Sequence, residues 1–417
     1  MSPRLLHITT TAISLDWLLG PQLTAFADAG FDVITASAPG DHVEAVKSRG
    51  LTHIPVPSLS RNMDPASDAR AWGELNALFQ QYKPDIVHTH NPKPGVLGRF
   101  AARRASVPIV VNTVHGLYAQ PTDRLIRRLP VFCIERVAAS ASDAELIQNI
   151  EDLHLLDSLG VPSSRLHLLG NGIDLTAFSP TVDRVRAGQA MRKSLGIAPT
   201  VPIVGMVGRL VWEKGYRELF DAVRQLRLQY DGPFEVVVVG PSEVGKAGAV
   251  DQASIEAMES LGVRFLGSRT DVDVLLAMFD LFVLPSHREG FPRAAMEASA
   301  MGTPVVATDI RGCRQVVSHG ETGLLVNVGD SHGLARGIAQ LLIDPARRSE
   351  MGRAAHRRAQ TEFDQQRVIA RTLGVYRSLL RKAGIAQPVP EETSLYIDSI
   401  DLVDTEASKP AELRSAA

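Results

Sequence analysis

Residues 281–326 read LFVLPSHREGFPRAAMEASAMGTPVVATDIRGCRQVVSHGETGLLV. The apolar run Leu281–Leu284 ends at a proline, which predicts a buried parallel strand. A helix is predicted to begin at Pro292, because the first helical turn does not use the N–H group that proline lacks, and to end near Met301, before a glycine. Val305–Thr308 predicts a second strand. The stretch therefore predicts a strand, a loop, a helix and a further strand, which is the repeating unit of a parallel α/β sheet.

Glu289 and Glu297 lie in the loop and the helix of this unit. The N–H groups of the first helical turn favour an anion. Two carboxylates would repel an anion that they touched, so they are better suited to accept hydrogen bonds from hydroxyl groups of a ligand that carries its anion elsewhere. A nucleotide diphosphate sugar has both features. The alternative is a pair of solvated glutamates, since charged side chains are mostly exposed.

The segment from Glu289 to Glu297, EGFPRAAME, resembles the E-x7-E motif of glycosyltransferase family 4. These are retaining enzymes with the GT-B fold, and the flanking sequences PVVAT and TGLLV also agree with the family. The resemblance implies that Glu289 is a catalytic residue that contacts the donor sugar, and that Glu297 binds the ribose of the nucleotide. It also assigns the loop between them to donor binding, with Gly290, Phe291, Pro292 and Arg293.

Length and composition limit the class of protein. A chain of 417 residues indicates two domains, and a formal net charge of −2 argues against a general nucleic-acid-binding surface. Cys133 and Cys313 are the two cysteines, and their wide separation favours a reduced cytoplasmic protein over a secreted one. No run approaches about 18 apolar residues, so no transmembrane helix is expected. The first residues predict a strand and not a signal peptide.

Strands and helices alternate through both halves of the chain, which predicts two Rossmann-like, doubly wound α/β domains. In the GT-B fold such domains face each other across a cleft, and a C-terminal helix crosses back to the first domain. We expect an acceptor-side domain over 1–180, a nucleotide-sugar-binding domain over 200–363 and the crossover helix over 364–384. Residues 385–417 contain seven acidic and two basic residues and predict a disordered acidic tail.

Arg209 and Lys214 follow a predicted strand in the segment GRLVWEKG and lie near the start of the next helix. A guanidinium and an ammonium group beside helix N–H groups suit a diphosphate. The segment resembles the family pattern G-R-L-x-x-x-K-G, whose arginine and lysine hold the donor diphosphate. We therefore expect these side chains to neutralise the leaving nucleotide without a metal ion. The alternative is a solvated basic loop.

His115 ends a predicted strand of the first domain, within the segment NTVHG. A histidine in this place is often a packed or solvated residue. The segment resembles the family sequence T-V-H-G, in which the histidine lies against the donor sugar. The resemblance implies that His115 is catalytic because it hydrogen-bonds the sugar and stabilises an oxocarbenium-like transition state, without acting as a base. Retention in the family is explained by front-face attack, with the leaving phosphate accepting the proton.

The segment HTHNPKPG contains His90 and Lys93 and resembles the form H-T-H-x-P-K-x-G of the capsule and surface-polysaccharide branch. Acceptors in that branch are commonly sugars linked to polyprenyl diphosphate. We assign acceptor binding to His90, Lys93 and Ser14, although Lys93 is equally compatible with a plain surface lysine. Two histidines at i and i+2 without a third ligand nearby in sequence are poor evidence for zinc, so no metal and no cofactor are expected.

Arginines interleaved with apolar residues in the first domain predict either a face that lies on an anionic membrane or a solvated helix face. They are Arg99, Arg103, Arg104, Arg124, Arg127 and Arg128. Two other motifs are rejected. The segment 240–247 lacks the hydroxyl residue of a P-loop. Asp271 and Asp273 are interpreted as a helix cap and not as the metal-binding D-x-D of another glycosyltransferase fold.

Together these patterns predict a retaining, metal-independent glycosyltransferase that transfers a hexosyl or N-acetylhexosaminyl group. The donor is expected to be a UDP-linked sugar. The expected partner is a lipid-linked or surface-polysaccharide acceptor at the inner face of a membrane, with peripheral membrane contact and no nucleic acid. The alternatives are a glycosyltransferase with a soluble small-molecule acceptor, and a catalytically silent protein that binds sugar nucleotides.

Overall fold

The structure is a computed structural model that describes residues 2–60, 64–90, 92–243, 245 and 248–388. Most of the predicted acidic tail and part of the segment that resembles a P-loop therefore lie outside the described residues. Within these ranges, no helix is both long enough and apolar enough to cross a membrane.

The chain divides into two compact units, Met1–Gly170 with Gln366–Ala417, and Asn171–Gln365. The first boundary therefore lies ten positions before the predicted residue 180. The boundary comes earlier because Ile173 forms a β-bridge with Asp364, so the segment after residue 170 already belongs to the second unit. The first unit is therefore made from both ends of the described chain.

Seven parallel strands form the sheet of the first unit. They are β1 (Arg4–Thr11), β2 (Asp32–Ala38), β3 (Thr52–Pro55), β4 (Ile86–His90), β5 (Ile109–Val114), β6 (Ala144–Ile147) and β7 (Leu166–Leu168). Their order in the sheet is β3-β2-β1-β4-β5-β6-β7, so the winding reverses between β1 and β4. Open parallel sheets bind ligands beside such a switch point, at the carboxyl ends of the strands.

Helices connect these strands and pack on the two faces of the sheet. They are α1 (Gly20–Asp28), α2 (Val43–Lys47), α3 (Pro65–Tyr82), α4 (Pro92–Arg104), α5 (Leu125–Ala139) and α6 (Ile150–Ser158). Capping side chains start two of them, because Asp64 accepts hydrogen bonds from the first N–H groups of α3 and Asn149 does so for α6. A short π-helical turn, Ser14–Leu18, follows β1.

Six parallel strands form the sheet of the second unit. They are β8 (Ile203–Val207), β9 (Glu235–Val239), β10 (Val263–Phe265), β11 (Leu281–Leu284), β12 (Val305–Thr308) and β13 (Gly323–Val326). Their order is β10-β9-β8-β11-β12-β13, which puts the switch point between β8 and β11. The helices are α7 (Val182–Ser194), α8 (Tyr216–Gln229), α9 (Gln252–Glu259), α10 (Val272–Met278), α11 (Arg293–Ala300), α12 (Arg311–Arg314), α13 (Ser331–Ile343) and α14 (Pro345–Glu362). The predicted pair of Rossmann-like α/β domains is confirmed.

The last described helix, α15 (Gln365–Ala383), completes the core of the first unit. Its buried side chains, among them Val368, Leu373 and Tyr376, pack in one cluster with Leu5 of β1. The helix predicted over 364–384, after the second domain, therefore belongs to the first unit, which is the crossover expected of the GT-B fold.

Three histidines lie on the sheet face that α15 covers. His7 of β1 is level with His88 of β4, and His90 follows two residues later on the same face. Nδ1 of His7 is 2.9 Å from Nε2 of His90, and Nδ1 of His88 is 2.5 Å from the hydroxyl oxygen of Tyr376. His7 is a third ligand-type side chain beside His88 and His90 that is close only in space, so the sequence did not reveal it.

These three histidines are uncharged at neutral pH. Burial lowers the pKa of His7 to about 3 and holds the pKa of His88 and of His90 well below 6.5, and repulsion between the rings acts on the last two in the same direction. Below pH 6.5 the unfolded chain binds protons at these residues while the folded chain does not. The free energy of unfolding therefore falls as the pH falls from 6.5 towards the folded pKa values.

We expect the melting temperature to fall between about pH 7 and about pH 5. Each buried neutral histidine lowers the free energy of unfolding by up to about 1.4 kcal/mol per pH unit in this range. Thermal melts across the range measure the slope, which is expected to be smaller in His90→Gln than in the wild type. His154→Gln, at an exposed position of α6, is the matched control. If the melting temperature of His90→Gln depended on pH as steeply as that of the wild type, His90 would not be a buried neutral histidine.

Candidate active site

The loop after β8 carries Arg209 and Lys214. Lys214 ends a single 3₁₀ turn, and Gly215 then leads into α8 with a φ of +81°. A Cβ atom at Gly215 would lie 2.0 Å from the carbonyl oxygen of Pro285, at the end of β11. Glycine alone permits this approach, which holds the lysine-bearing loop against the carboxyl end of the neighbouring strand.

Lys214 and Glu289 form the central ion pair of this sheet edge. Nζ of Lys214 lies 2.6 Å from Oε1 of Glu289, and Oγ of Ser286 donates to the same oxygen at 2.9 Å. A Cβ atom at Gly312 would lie 2.5 Å from the carbonyl oxygen of Glu289, so this loop also needs glycine where it passes α12. The structure thus brings together two residues that the sequence analysis assigned to different parts of the donor. Gly290 follows in the same loop.

Glu297 lies in the second turn of α11, which begins after Pro292 without a side-chain cap. Burial raises the pKa of the Glu297 carboxyl group, and Arg293, whose Nε lies 3.7 Å from Oε1, opposes the shift. The helix therefore combines a largely buried carboxyl acceptor with the partial positive charge of a helix N-terminus. This is the combination that suits a ligand with both hydroxyl groups and an anion.

Two other predicted donor-binding residues differ in their surroundings. Arg209 is half exposed, and its guanidinium lies 3.3 Å from Glu243. The ring of Phe291 packs edge-on against Phe363 with 6.1 Å between centroids, and its carbonyl oxygen accepts a hydrogen bond from Asn171 at 3.3 Å. The Phe291 side chain is therefore part of the core, and only its backbone belongs to the loop beside Glu289.

His115 directly follows β5 in the first unit. Its Nε2 atom lies 3.0 Å from Nδ1 of His90, and its Nδ1 atom is buried. Burial lowers the pKa of His115 to about 4, and a hydrogen bond with the Gln148 side chain acts in the opposite direction. The ring lines a small pocket together with Gly95 and Tyr118. His115 is therefore a neutral imidazole with one nitrogen committed to the protein.

A buried ion pair borders the same pocket. Arg99 of α4 donates to Glu145 of β6 at 2.6 Å and to Glu135 of α5 at 3.2 Å, and Asn112 of β5 also donates to Glu145, at 2.7 Å. Arg99 is 1% exposed, so both predicted places for it, a membrane-facing surface and a solvated helix face, are wrong. The helix turns this side chain towards the sheet, where it neutralises Glu145.

The predicted acceptor-binding residues have partners within the first unit. His90 is 2% exposed, and both of its ring nitrogens face other histidines. Nζ of Lys93 lies 2.5 Å from Asp68, and the side chain is mostly buried. Ser14 lies in the π-helical turn, 3.4 Å from a threonine hydroxyl. The structure joins His90 to His115, while acceptor binding by all three residues stays a prediction.

Asp271 and Asp273 serve separate ion pairs. Asp271 occupies the position before α10 but makes no capping hydrogen bond, and it pairs with Arg269 at 2.6 Å instead. Asp273 pairs with Arg184 of α7 at 2.9 Å. Asp271 therefore occupies the predicted N-cap position of α10, but the predicted capping hydrogen bond is absent because the guanidinium of Arg269 competes for the carboxylate.

Sequence reasoning did not identify four polar residues of these sites, which are His7, Glu145, Ser286 and Tyr376. Three of them interrupt apolar segments, as the histidine in LLHITTT, the glutamate in AELI and the tyrosine on the apolar stripe of α15. A polar side chain in such a place needs a buried partner. The pattern could therefore have marked these residues, although it could not have named their partners.

Two family descriptions match the chain, one for each unit. Residues 23–177 match Glycosyltransferase Family 4, and residues 188–358 match Glycosyl transferases group 1. These ranges contain every predicted catalytic and donor-binding residue. Both halves of the chain therefore match glycosyltransferase descriptions, and the first half matches the family whose motifs the sequence resembles.

Two relatives of known function and one solved structure agree with these family matches. The chain is 31% identical to UDP-Gal:alpha-D-GlcNAc-diphosphoundecaprenol alpha-1,3-galactosyltransferase of Escherichia coli, over 69% of this chain and 74% of that protein. It is 25% identical to the capsular polysaccharide biosynthesis glycosyltransferase CapM of Staphylococcus aureus, over 91% and 98%. Its fold matches Anabaena Alr3699/HepE in complex with UDP, with a TM-score of 0.72 and 20% identity over 91% and 100% of the two chains. The resemblance is thus confirmed, and the chain belongs to glycosyltransferase family 4, with the GT-B fold.

Proposed function

We propose that this glycosyltransferase moves a hexosyl or N-acetylhexosaminyl group from a UDP-sugar to a polyprenyl-diphosphate-linked acceptor of a surface polysaccharide. We further propose that transfer retains the anomeric configuration and needs no metal ion. The observation that carries the proposal is the 2.6 Å ion pair of Lys214 and Glu289, which puts a phosphate-binding cation and a hydroxyl acceptor at one point. The E. coli relative is named for UDP-Gal and a diphosphoundecaprenol-linked acceptor, and the S. aureus relative for capsular polysaccharide biosynthesis.

Donor binding follows from the charges of the second unit. Lys214 and Arg209 supply two positive charges for the diphosphate, which would otherwise need a divalent cation. Glu297 accepts hydrogen bonds from the ribose hydroxyl groups, and Glu289 accepts one from a hydroxyl group of the sugar. Each glutamate lies beside a cation, Lys214 or Arg293, so its repulsion of the diphosphate is reduced.

The reaction exchanges one bond at the anomeric carbon for another on the same face. The bond to the β-phosphate oxygen breaks, and the acceptor hydroxyl oxygen forms a bond to the same carbon. The hydroxyl proton passes to the departing phosphate oxygen, so no protein base is needed. Lys214 and Arg209 stabilise the charge that develops on the leaving diphosphate. His115 is uncharged and contributes a hydrogen bond to the sugar.

Replacement of the ion-pair lysine tests donor binding. We expect Lys214→Met to weaken UDP binding about 10- to 100-fold, because a hydrogen bond between charged groups contributes about 1.5–3 kcal/mol. Glu297→Gln keeps the shape of the side chain and is expected to weaken UDP binding by a smaller factor. Isothermal titration calorimetry with UDP, GDP, ADP and dTDP measures both the affinity and the preference for uracil.

Exposed helix residues of the same unit provide the matched controls. Lys193→Met and Glu259→Gln remove the same charges at exposed positions and are expected to bind UDP like the wild type. Wild-type affinity in Lys214→Met would contradict the assigned diphosphate site. Equal binding of the four nucleotides would contradict the choice of UDP.

A transfer assay tests the metal requirement and the stereochemistry. With a UDP-α-sugar and a short-chain polyprenyl-diphosphate N-acetylglucosamine, we expect transfer in excess EDTA at close to the untreated rate, because Lys214 and Arg209 supply the cations. NMR of the product is expected to show an α-linkage. Loss of activity in EDTA that Mg²⁺ or Mn²⁺ restores would refute metal independence, and a β-linked product would refute retention.

Helix α5 presents an apolar stripe on the surface of the first unit. Ile126 is 85% exposed, Leu129 53% and Val137 56%, and their spacing of i, i+3 and i+11 puts them on one side of the helix. Arg127 and Arg136 are exposed on either side of the stripe. An apolar stripe bordered by arginines matches the interface of an anionic membrane. We assign it to contact with the lipid surface that holds the acceptor.

Vesicle co-sedimentation tests the membrane contact. We expect the protein to pellet with vesicles that contain phosphatidylglycerol and to remain in solution with phosphatidylcholine alone, because each basic side chain near an anionic surface contributes about 1 kcal/mol. The double variant Ile126→Ser, Leu129→Ser is expected to lose most of this binding. The control Leu228→Ser, Ile343→Ser removes two exposed apolar side chains of the second unit and is expected to pellet normally.

Two results of that experiment would contradict the membrane assignment. Equal pelleting of both double variants would show that the α5 stripe is not the contact. Absence of wild-type pelleting would favour a soluble acceptor.

A further inference from the structure

A hydrogen-bond chain begins at Thr113 on the covered face of the first sheet. The Thr113 hydroxyl oxygen lies 2.7 Å from Nε2 of His88, and Nδ1 of His88 lies 2.5 Å from the hydroxyl oxygen of Tyr376. The same tyrosine oxygen is 3.4 Å from Nε2 of His7, which is the longest link. The helix α15 thus contributes the one hydroxyl group that joins a histidine of β4 to a histidine of β1.

The second half of the hydrogen-bond chain leads from His7 to His115, the predicted catalytic histidine. Nδ1 of His7 is 2.9 Å from Nε2 of His90, and Nδ1 of His90 is 3.0 Å from Nε2 of His115. Every ring nitrogen of these three residues contacts another member of this hydrogen-bond chain except Nδ1 of His115, which is buried. The hydrogen-bond chain therefore begins at Thr113 and ends at Nδ1 of His115.

The hydrogen bonds along this chain must all point the same way. A neutral imidazole has one N–H donor and one acceptor nitrogen, so a histidine paired through both nitrogens receives one hydrogen bond and donates the other. His88 is the sole partner that the structure gives the hydroxyl of Thr113 within the described residues. If His88 donated to Thr113, the buried hydroxyl proton would have no acceptor, which is unfavourable. Thr113 therefore donates to His88.

This direction assigns the proton on each ring. His88 accepts at Nε2 and donates from Nδ1 to Tyr376, which donates in turn to Nε2 of His7. His7 then donates from Nδ1 to His90, and His90 donates from Nδ1 to Nε2 of His115. All four histidines are therefore Nδ1–H tautomers, and the last of them has its N–H group at the end of the chain.

We propose that Thr113 and Tyr376 are positioning residues that hold His115 as the Nδ1–H tautomer. Thr113 acts through His88, and Tyr376 passes the direction on through His7 and His90. The functional part of this inference rests on the proposed contact of His115 with the transferred sugar. A fixed Nδ1–H group is a donor, so it pairs with a sugar oxygen and does not accept a proton from the acceptor hydroxyl. A ligand oxygen at this place pairs with the N–H group that ends the hydrogen-bond chain, beside the Gln148 side chain, which also hydrogen-bonds His115.

The same histidines also resemble a metal-binding cluster, because His7, His88 and His90 have ligand-type atoms within 4.8 Å of one another. In a tetrahedral zinc site with Zn–N distances of about 2.0–2.1 Å, neighbouring nitrogens lie about 3.3 Å apart around one point. Here the nitrogens of His7 and His90 are 2.9 Å apart, a hydrogen-bond distance, and both nitrogens of His88 face hydroxyl groups. The geometry favours the hydrogen-bond chain.

Nitrogen-15 NMR of histidine-labelled protein tests the tautomers directly, because protonated and unprotonated imidazole nitrogens give separate signals. At about pH 7 we expect Nδ1–H signals from His7, His88, His90 and His115, although free imidazole side chains favour Nε2–H. Single His→Gln substitutions assign the signals. An Nε2–H tautomer at His115 of the wild type would overturn the proposal, whatever the activity of the enzyme.

Three substitutions test the two positioning residues. Thr113→Val removes the hydroxyl that sets the direction, and Tyr376→Phe removes the middle link, so we expect a mixture of His115 tautomers in both. Thr113→Ser keeps a hydroxyl group and is expected to restore the wild-type signals. Tyr230→Phe, in the other unit, is the matched control. If one variant unfolds, the other still decides, and a single Nδ1–H tautomer at His115 in the folded variant would overturn the proposal.

Kinetics and metal analysis complete the test. We expect Tyr376→Phe to lower kcat about tenfold and to change KM for the UDP-sugar less than about twofold, because the tautomer changes while the donor-binding residues do not. The predicted tautomers without any sugar transfer would refute the proposed function alone, whereas transfer with an Nε2–H His115 would refute this inference alone. A stoichiometric metal ion that His7→Gln removes would also overturn the hydrogen-bond chain.

Discussion

A parallel sheet must be covered on both faces, and one face of the first sheet is covered by a helix from the far end of the chain. Leu373 and Tyr376 of α15 pack there in one cluster with residues of β1, β4 and β5. Such a cover excludes water, so polar side chains beneath it are stable only if they are uncharged and paired with one another. That constraint explains how His7, His88 and His90 share so small a region.

In the second unit the corresponding polar side chains are charged, and they lie in loops and not beneath a helix. The charged side chains proposed to bind the donor, Lys214 and Glu289, lie in loops at the carboxyl ends of β8 and β11, where the backbones come very close. Gly215 and Gly312 permit those approaches, and the ion pair of Lys214 and Glu289 links the two loops across the switch point. In the first unit, neutral polar side chains are held in place by burial beneath α15. In the second unit, charged side chains are held in place by loops whose backbones pack closely together.

The features that could be predicted from the sequence are those encoded locally. Leu281–Leu284 and Val305–Thr308 have the predicted bounds, because each is a short apolar run that ends beside turn-forming or polar residues. The family motifs likewise placed Lys214 and Glu289 in loops that prove to be in contact. Both kinds of signal depend on a few consecutive positions, so an isolated sequence is sufficient to read them.

The contacts between distant residues could not be predicted in this way. His7 and Tyr376 are 369 positions apart, and no local pattern connects a histidine in the first strand with a tyrosine in the last helix. Arg99 shows the same limit within one helix. The sequence shows an arginine among apolar residues, but the direction of its side chain depends on Glu145, which lies 46 positions away on another strand.

Because α15 lies at the far end of the chain but packs in the first unit, the first unit is completed last during synthesis. The strands of the first sheet are made first, all of 171–365 follows, and α15 emerges only afterwards. The second unit therefore has all of its strands, and can fold, while the first still lacks one cover. Throughout that interval the nascent chain exposes the apolar face that Leu373 later buries, together with histidines that lack their tyrosine partner. Until α15 has been made, the first unit is therefore an incompletely covered sheet, which is the kind of intermediate that is prone to aggregation.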